Sequence, residues 1–145
     1  MPDISEYVDV EQLAALRQHQ AKRPVNSRKV VVDNILFDSQ AEAGRWRELK
    51  LLRRAGDIQQ LTTHPEFIIQ EKGKDAFGQP FRQRTYTADF QYWDVGKKRG
   101  VVEEVKGPRR TKTGNMVPHV GRDFYLRWDR ARALYPDLEF VIVIR

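Results

Sequence analysis

Cysteine is absent from the 145 residues. That excludes a disulfide scaffold, a thiolate zinc site and a thiol nucleophile. Histidine is scarce, and His19, His64 and His119 stand too far apart in sequence to suggest a His-rich metal cage. No apolar run approaches the roughly 20 residues of a membrane-spanning helix. The first residues carry Asp3, Glu6 and Asp9 where a signal peptide would be basic. Internal repeats and low-complexity tracts are missing too. The expectation is a soluble, cytoplasmic protein. What remains is 26 Lys and Arg against 20 Asp and Glu, a net charge of +6, with 40% hydrophobic residues. That is enough apolar material for one core, and a basic balance compatible with a polyanionic partner.

Residues 1–23 read as an appendage, with a short helix expected over 9–20 before a basic link at Lys22-Arg23-Pro24. Residues 24–145 form the main domain. Val30–Val32 and Ile35–Phe37 flank Asp33-Asn34, the pattern of a two-residue hairpin. Ser39, with Glu42 three residues on, opens a helix that Ala55-Gly56 stops; Trp46, Leu49, Leu52 and Ala55 form its apolar stripe. A strand is expected at about 67–70, then a polar loop over 71–80, then strands over 84–94 and 100–106 joined by Gly96–Arg99. A loop without a single acid spans 107–121, a second helix runs over 122–134, and the apolar run 138–144 reads as a strand covered on both faces. Helix, three strands, helix, strand: the expected class is α/β, a mixed sheet flanked by helices, preceded by the small hairpin and the N-terminal helix.

Chemistry concentrates in the third strand. Side chains alternate along Val101–Lys106, so Val102, Glu104 and Lys106 share one face and Val101, Glu103 and Val105 the other. In the preceding strand Tyr86, Ala88, Phe90 and Tyr92 are expected to pack inward, leaving Thr87, Asp89, Gln91 and Trp93 opposite. A four-residue turn at Gly96–Arg99 would set Asp89 across from Lys106 and Gln91 across from Glu104, all on one face. Glu42 lies on the helix's buried stripe, where a lone carboxylate is costly unless it is paired or binds a cation. Carboxylates converging beside a lysine suit phosphodiester hydrolysis. Mg²⁺ prefers oxygen ligands and lowers the pKa of a bound water, and an ammonium offsets charge growing on phosphate.

Asp89 followed by Glu104-Val105-Lys106 resembles the bipartite signature of the PD-(D/E)XK nuclease superfamily, with Ala88 where a proline is usual. Together with Phe37–Glu42, Tyr86–Phe90 and Val102–Gly107, the chain over about 30–144 is similar to a small phage-encoded endonuclease family related to Holliday-junction resolvases. The resemblance implies a restriction-endonuclease-like core and a Mg²⁺-dependent DNA endonuclease, with Mn²⁺ able to substitute. It makes Asp89, Glu104 and Glu42 metal ligands, joined by the Val105 carbonyl, and Lys106 the catalytic lysine. A phage or prophage setting, branched DNA as substrate and a homodimer follow from it as well.

Plainer readings stand beside these. Ser39-x-x-Glu42 is a capping box, Glu104 and Lys106 make an ordinary same-face ion pair, and a bulge would exchange Glu103 for Glu104. For DNA contact the candidates are Arg109, Arg110 and Lys112 in the acid-free loop, with Arg122 and Arg127 on the second helix. Alternative functions are a non-catalytic nucleic-acid-binding module and a nuclease for linear or sequence-specific DNA.

Overall fold

The computed structural model describes residues 28–145, so the helix expected over 9–20 lies outside the described residues. The chain divides into two compact units, Met1–Glu48 and Leu49–Arg145. In the first, β1 (Val30–Val32) pairs antiparallel with β2 (Ile35–Phe37). Asp33 and Asn34 form the expected turn at φ 53° and 61°, the left-handed region that a two-residue turn between right-twisted strands requires. Helix α1 (Gln40–Ala55) begins at the expected cap: Ser39 Oγ accepts the Glu42 N–H at 3.1 Å. The Trp46 indole N–H donates to Asp33 Oδ2 at 2.8 Å, tying helix to hairpin turn.

Within the second unit α1 ends as its sequence indicates. Gly56 takes φ 87°, and the Asp57 N–H returns to the Leu52 carbonyl at 3.0 Å. Trp46 and Leu49 of the helical stripe are buried, whereas Ala55, at the last turn, is exposed. The strands that follow are β3 (Ile58–Thr63), β4 (Glu66–Gln70), β5 (Gly73–Lys74), β6 (Pro80–Phe81), β7 (Arg84–Thr87), β8 (Phe90–Asp94), β9 (Arg99–Lys106), β10 (Pro108–Arg110) and β11 (Met116–Pro118). Helix α2 (Phe124–Leu134) and β12 (Leu138–Ile144) close the chain. The protein is mixed α/β. Its main sheet runs β12-β9-β8-β3, with β12 parallel to β9 and the other pairs antiparallel.

Several expectations need correction. Residues 58–63, polar except for Ile58 and Leu61, are a main-sheet strand that hydrophobic patterning alone does not reveal. The strand expected over 84–94 breaks at Ala88-Asp89 into β7, which pairs with β4, and β8, which pairs with β3 and β9. The expected loop over 71–80 contains the hairpin β5–β6, and that over 107–121 contains the hairpin β10–β11. Thr111 closes the latter turn, its Oγ1 accepting the Asn115 N–H at 3.0 Å. The second helix begins at Phe124 rather than Arg122, with Asp123 at the N-cap position. The run 138–144 is only half-buried, because the α2 crossover returns it to the sheet edge. The strand covered on both faces is β9, where Val101–Val105 are all buried. Gly100 leaves room for the side chain of its partner Leu138: a Cβ there would lie 2.6 Å from Leu138 Cδ2.

The break at Ala88-Asp89 also re-phases the chain. Tyr86, Ala88, Phe90 and Tyr92 are all buried, as expected, yet not on one face. Phe90 and Tyr92 lie across from Glu103 and Val101. Tyr86 and Ala88 join Val102, Phe124, Trp128 and Ala131 in the core under α2. There the Trp128 ring stands edge-on to both Tyr86 and Phe140, with centroids 6.0 and 5.4 Å away.

Candidate functional site

The turn between β8 and β9 sits one residue earlier than expected, so Asp94 pairs with Arg99 and Phe90 with Glu103. That ladder ends at Phe90, so Asp89 lies just beyond it and is not paired across from Lys106. Gln91 accordingly lies across from Val102 rather than Glu104.

Asp89 stands where the chain leaves the ladder. Its N–H donates to the Glu103 carbonyl at 3.1 Å, and its own carbonyl accepts the His64 N–H at 2.9 Å. Its Oδ2 accepts the Val105 N–H at 2.6 Å, taking the place of a strand carbonyl. An aspartate is therefore structurally useful at this break, and it arrives beside β9 as a half-buried carboxylate. Val105 meets the candidate site through this N–H.

Glu104 is buried, and both its oxygens are engaged. Oε1 lies 2.7 Å from Lys106 Nζ, and Oε2 accepts the Tyr86 hydroxyl proton. The Lys106 ammonium also sits 4.8 Å from the centre of the Phe124 ring, at the first residue of α2. Its side chain remains 25% exposed, so the ammonium end of this cluster is the part solvent reaches. Burial pushes the Tyr86 hydroxyl far above its ordinary pKa of 10.0; the Glu104 charge and hydrogen bond add to that, as does Asp89, while Arg127 opposes it. Tyr86 is thus a permanent proton donor to Glu104, within the fields of Asp89 and Arg127.

Glu103 faces the other way. It is 2% exposed and accepts the Tyr92 hydroxyl at 2.6 Å. Glu42 belongs to the first unit, where its Oε2 accepts the Asp38 N–H at 3.0 Å and its Oε1 the Ser39 hydroxyl at 3.2 Å. The capping box is therefore formed around it. Among the described residues no three His, Cys, Asp or Glu side chains converge as a metal cage. Asp89, in the break before β8, and Glu104, on β9, are nonetheless two hard oxygen donors, and Mg²⁺ is commonly held by one or two carboxylates with its remaining positions filled by water.

Of the basic candidates, Arg109 and Arg110 lie on β10 and Lys112 in the turn of the same hairpin, all exposed. Only Gly107 separates this hairpin from Lys106, and the His119 N–H closes its base on the Gly107 carbonyl at 2.7 Å. Arg122 is exposed just before α2, and Arg127 is exposed on it. Sequence reasoning missed Tyr86 as the partner of Glu104 and Tyr92 as that of Glu103. Tyrosines alternating through a strand beside a Glu-Glu pair were the available signal, but only the break at residue 89 sends one hydroxyl to each face.

The family model described as "Protein of unknown function (DUF1064)" matches residues 22–140, a span that includes every candidate residue above. No curated protein and no solved structure matches the chain.

Proposed function

The chain belongs to the DUF1064 family, and we propose that it is a metal-dependent DNA endonuclease centred on Asp89, Glu104 and Lys106. What supports this reading is the Glu104–Lys106 contact near the end of β9, with Glu104 clamped between Lys106 and Tyr86 and Asp89 bonded to the Val105 N–H beside it. With the short strands β4–β7 and β10–β11 set aside, the order α1, β3, β8, β9, α2, β12 supports a restriction-endonuclease-like core, the arrangement that the resemblance to PD-(D/E)XK nucleases implies.

Asp89 and Glu104 would hold Mg²⁺, or Mn²⁺ in its place, with the Val105 carbonyl as a further ligand; Glu42 is added to the set by the family resemblance alone. When bound, the ion polarises a phosphoryl oxygen and acidifies a water. Lys106 orients the attacking water and offsets charge growing on the phosphate. Tyr86 keeps one Glu104 oxygen fixed while the other faces Lys106. The exposed cations Arg109, Arg110 and Lys112, with Arg122 and Arg127, grip phosphates to either side and set register without reading sequence. The family resemblance adds branched DNA as substrate, a phage or prophage setting and a homodimer bearing two centres.

A second reading has its own support. Glu104 is saturated by Lys106 and Tyr86, and one Asp89 oxygen by Val105, as expected of acids that serve the fold of a non-catalytic nucleic-acid-binding module. Incubation with plasmid, linear, flap and four-way DNA, in Mg²⁺ or EDTA, separates the two. The nuclease reading expects Mg²⁺-dependent cleavage that Asp89→Ala and Lys106→Ala abolish; variants that cut like the wild type would overturn it. Preference among the four substrates decides between branched and linear DNA.

A further inference from the structure

The hairpin β5–β6 lies outside the site just described and carries features that neither the fold nor the cleavage reading uses. Phe77 is 89% exposed at its tip. A phenylalanine so placed is ordinarily excused by a mobile loop, but this turn is tied down. Asp75 Oδ1 accepts the N–H groups of Phe77 and Gln79, both at 2.9 Å, and the Asp75 N–H returns to the Gln79 carbonyl at 2.9 Å. The base is anchored as well, since the Gln70 side chain donates to the Arg82 carbonyl at 3.0 Å.

A second ring lies lower on the same hairpin. Phe81 pairs across from Gly73, and a Cβ on that glycine would fall 2.7 Å from the Phe81 ring. Only glycine lets the ring lie against the backbone of the facing strand. One side of the ring is thereby seated while the residue stays 44% exposed. Beside it runs an open groove of about 590 Å³ lined by Lys72, Lys74 and Arg82 and by no acid. Glu71 precedes Lys72 without lining the groove, and Asp75 is turned onto its own backbone.

Flat aromatic faces presented beside a row of cations match the chemistry of unpaired nucleotides. Each base has a π-face that stacks on a ring, and each linking phosphate attracts an ammonium or guanidinium. In an intact duplex the base faces are hidden by neighbouring pairs, so a ring held at the tip of a rigid hairpin gains contact only where stacking is interrupted. We propose that β5–β6 is a platform for an unpaired segment of nucleic acid, with Phe77 and Phe81 stacking on bases and Lys72, Lys74 and Arg82 holding phosphates. The proposal rests on the DNA reading for its ligand class and narrows it to substrates with single-stranded or unstacked stretches.

The test is equilibrium binding of the full chain to a fluorescent single-stranded oligothymidylate and to a blunt duplex, by anisotropy in EDTA so that no cleavage intervenes. Changing both Phe77→Ala and Phe81→Ala is expected to weaken single-strand binding about tenfold or more, with little change on the duplex. Phe81→Trp, which keeps a flat ring over Gly73, should retain binding and guards against a hairpin that merely unfolds. Neutralising Lys72, Lys74 and Arg82 together should lower the single-strand salt slope by about 2, at roughly 0.7 per phosphate released. A double aromatic variant that binds single strands like the wild type overturns the platform, even if the enzyme cuts DNA. Ring-dependent binding in a protein that cuts nothing leaves the platform standing and overturns the nuclease.

Discussion

Glu103 and Glu104 are neighbours on β9, both buried, each accepting a hydrogen bond from a tyrosine, and they face opposite sides of the sheet. On one side Glu103 meets Tyr92 across from Phe90 and Val101, among residues that solvent does not reach. On the other, Glu104 lies between Tyr86 and Lys106, whose ammonium is partly open, and Asp89 is bonded to the neighbouring Val105 N–H. The residue type and the phenolic partner are the same. What differs is the company at the strand end, where β9 leaves the sheet for the basic hairpin. A neutral hydroxyl offsets only part of the cost of burying an acid, whereas an acid lodged between a hydroxyl and an accessible lysine is compensated by a charge that solvent, and a substrate, can also reach.

The largest effects should divide along this line. Glu104→Gln and Lys106→Ala are expected to lower Mg²⁺-dependent cleavage by about 100-fold or more, the scale on which groups that stabilise developing charge act. Glu103→Gln should instead cost about 1–3 kcal/mol of stability by weakening its bond from Tyr92, measured by urea denaturation, with cleavage per folded molecule retained. Loss of cleavage in Glu103→Gln at unchanged stability would invert the assignment of the two faces.

Tyr86 gives a pH test of the Glu104 side. Its folded pKa is raised, so the unfolded chain surrenders the phenolic proton first as pH climbs past about 10. Above that point the unfolded state binds fewer protons, and wild-type stability should fall by up to about 1.4 kcal/mol per pH unit. Tyr86→Phe should lack this component, read as a shallower alkaline limb in urea midpoints from pH 9 to 11. An identical limb in both proteins would remove Tyr86 as the constant donor to Glu104.

The smallest expected effect lies in the first unit. Ser39→Ala should cost about 1 kcal/mol through the lost cap on α1, and Glu42→Gln a similar or smaller amount. If Glu42→Gln also abolishes cleavage while Ser39→Ala spares it, Glu42 acts beyond the capping box and belongs with Asp89 and Glu104.

Much of this was legible in the residues. Asp33-Asn34 announces a two-residue turn because so short a connection needs left-handed backbone at both positions, which Asp and Asn tolerate. Ser39, Glu42 and Gly56 mark the ends of α1 through local bonds. The common face of Glu104 and Lys106 follows from strand alternation, and their contact is found at 2.7 Å. Less legible were β3, whose polar sequence is recruited by pairing with β8, and the two small hairpins, whose short strands carry no period to detect. The turn at 95–98 was misplaced by one residue, because Gly96–Arg99 and Val95–Lys98 are nearly equal candidates until Asp94 is seen accepting the Lys97 N–H at 2.8 Å.

By itself, then, the order of residues determined the oxygen-rich, thiol-free chemistry open to this protein, the ends of α1 and the alternation that pairs Glu104 with Lys106. These depend on neighbours within a few positions, where covalent geometry leaves little choice. Only the tertiary structure decided that the chain breaks at Asp89, that Tyr86 and Tyr92 consequently part to opposite faces, and that Phe81 lies across Gly73 with Phe77 held out beyond it. The first two depend on which strand meets which, settled by pairing between residues far apart in the chain; the hairpin depends on short-range pairing and Asp75 bonds that no apolar period announces.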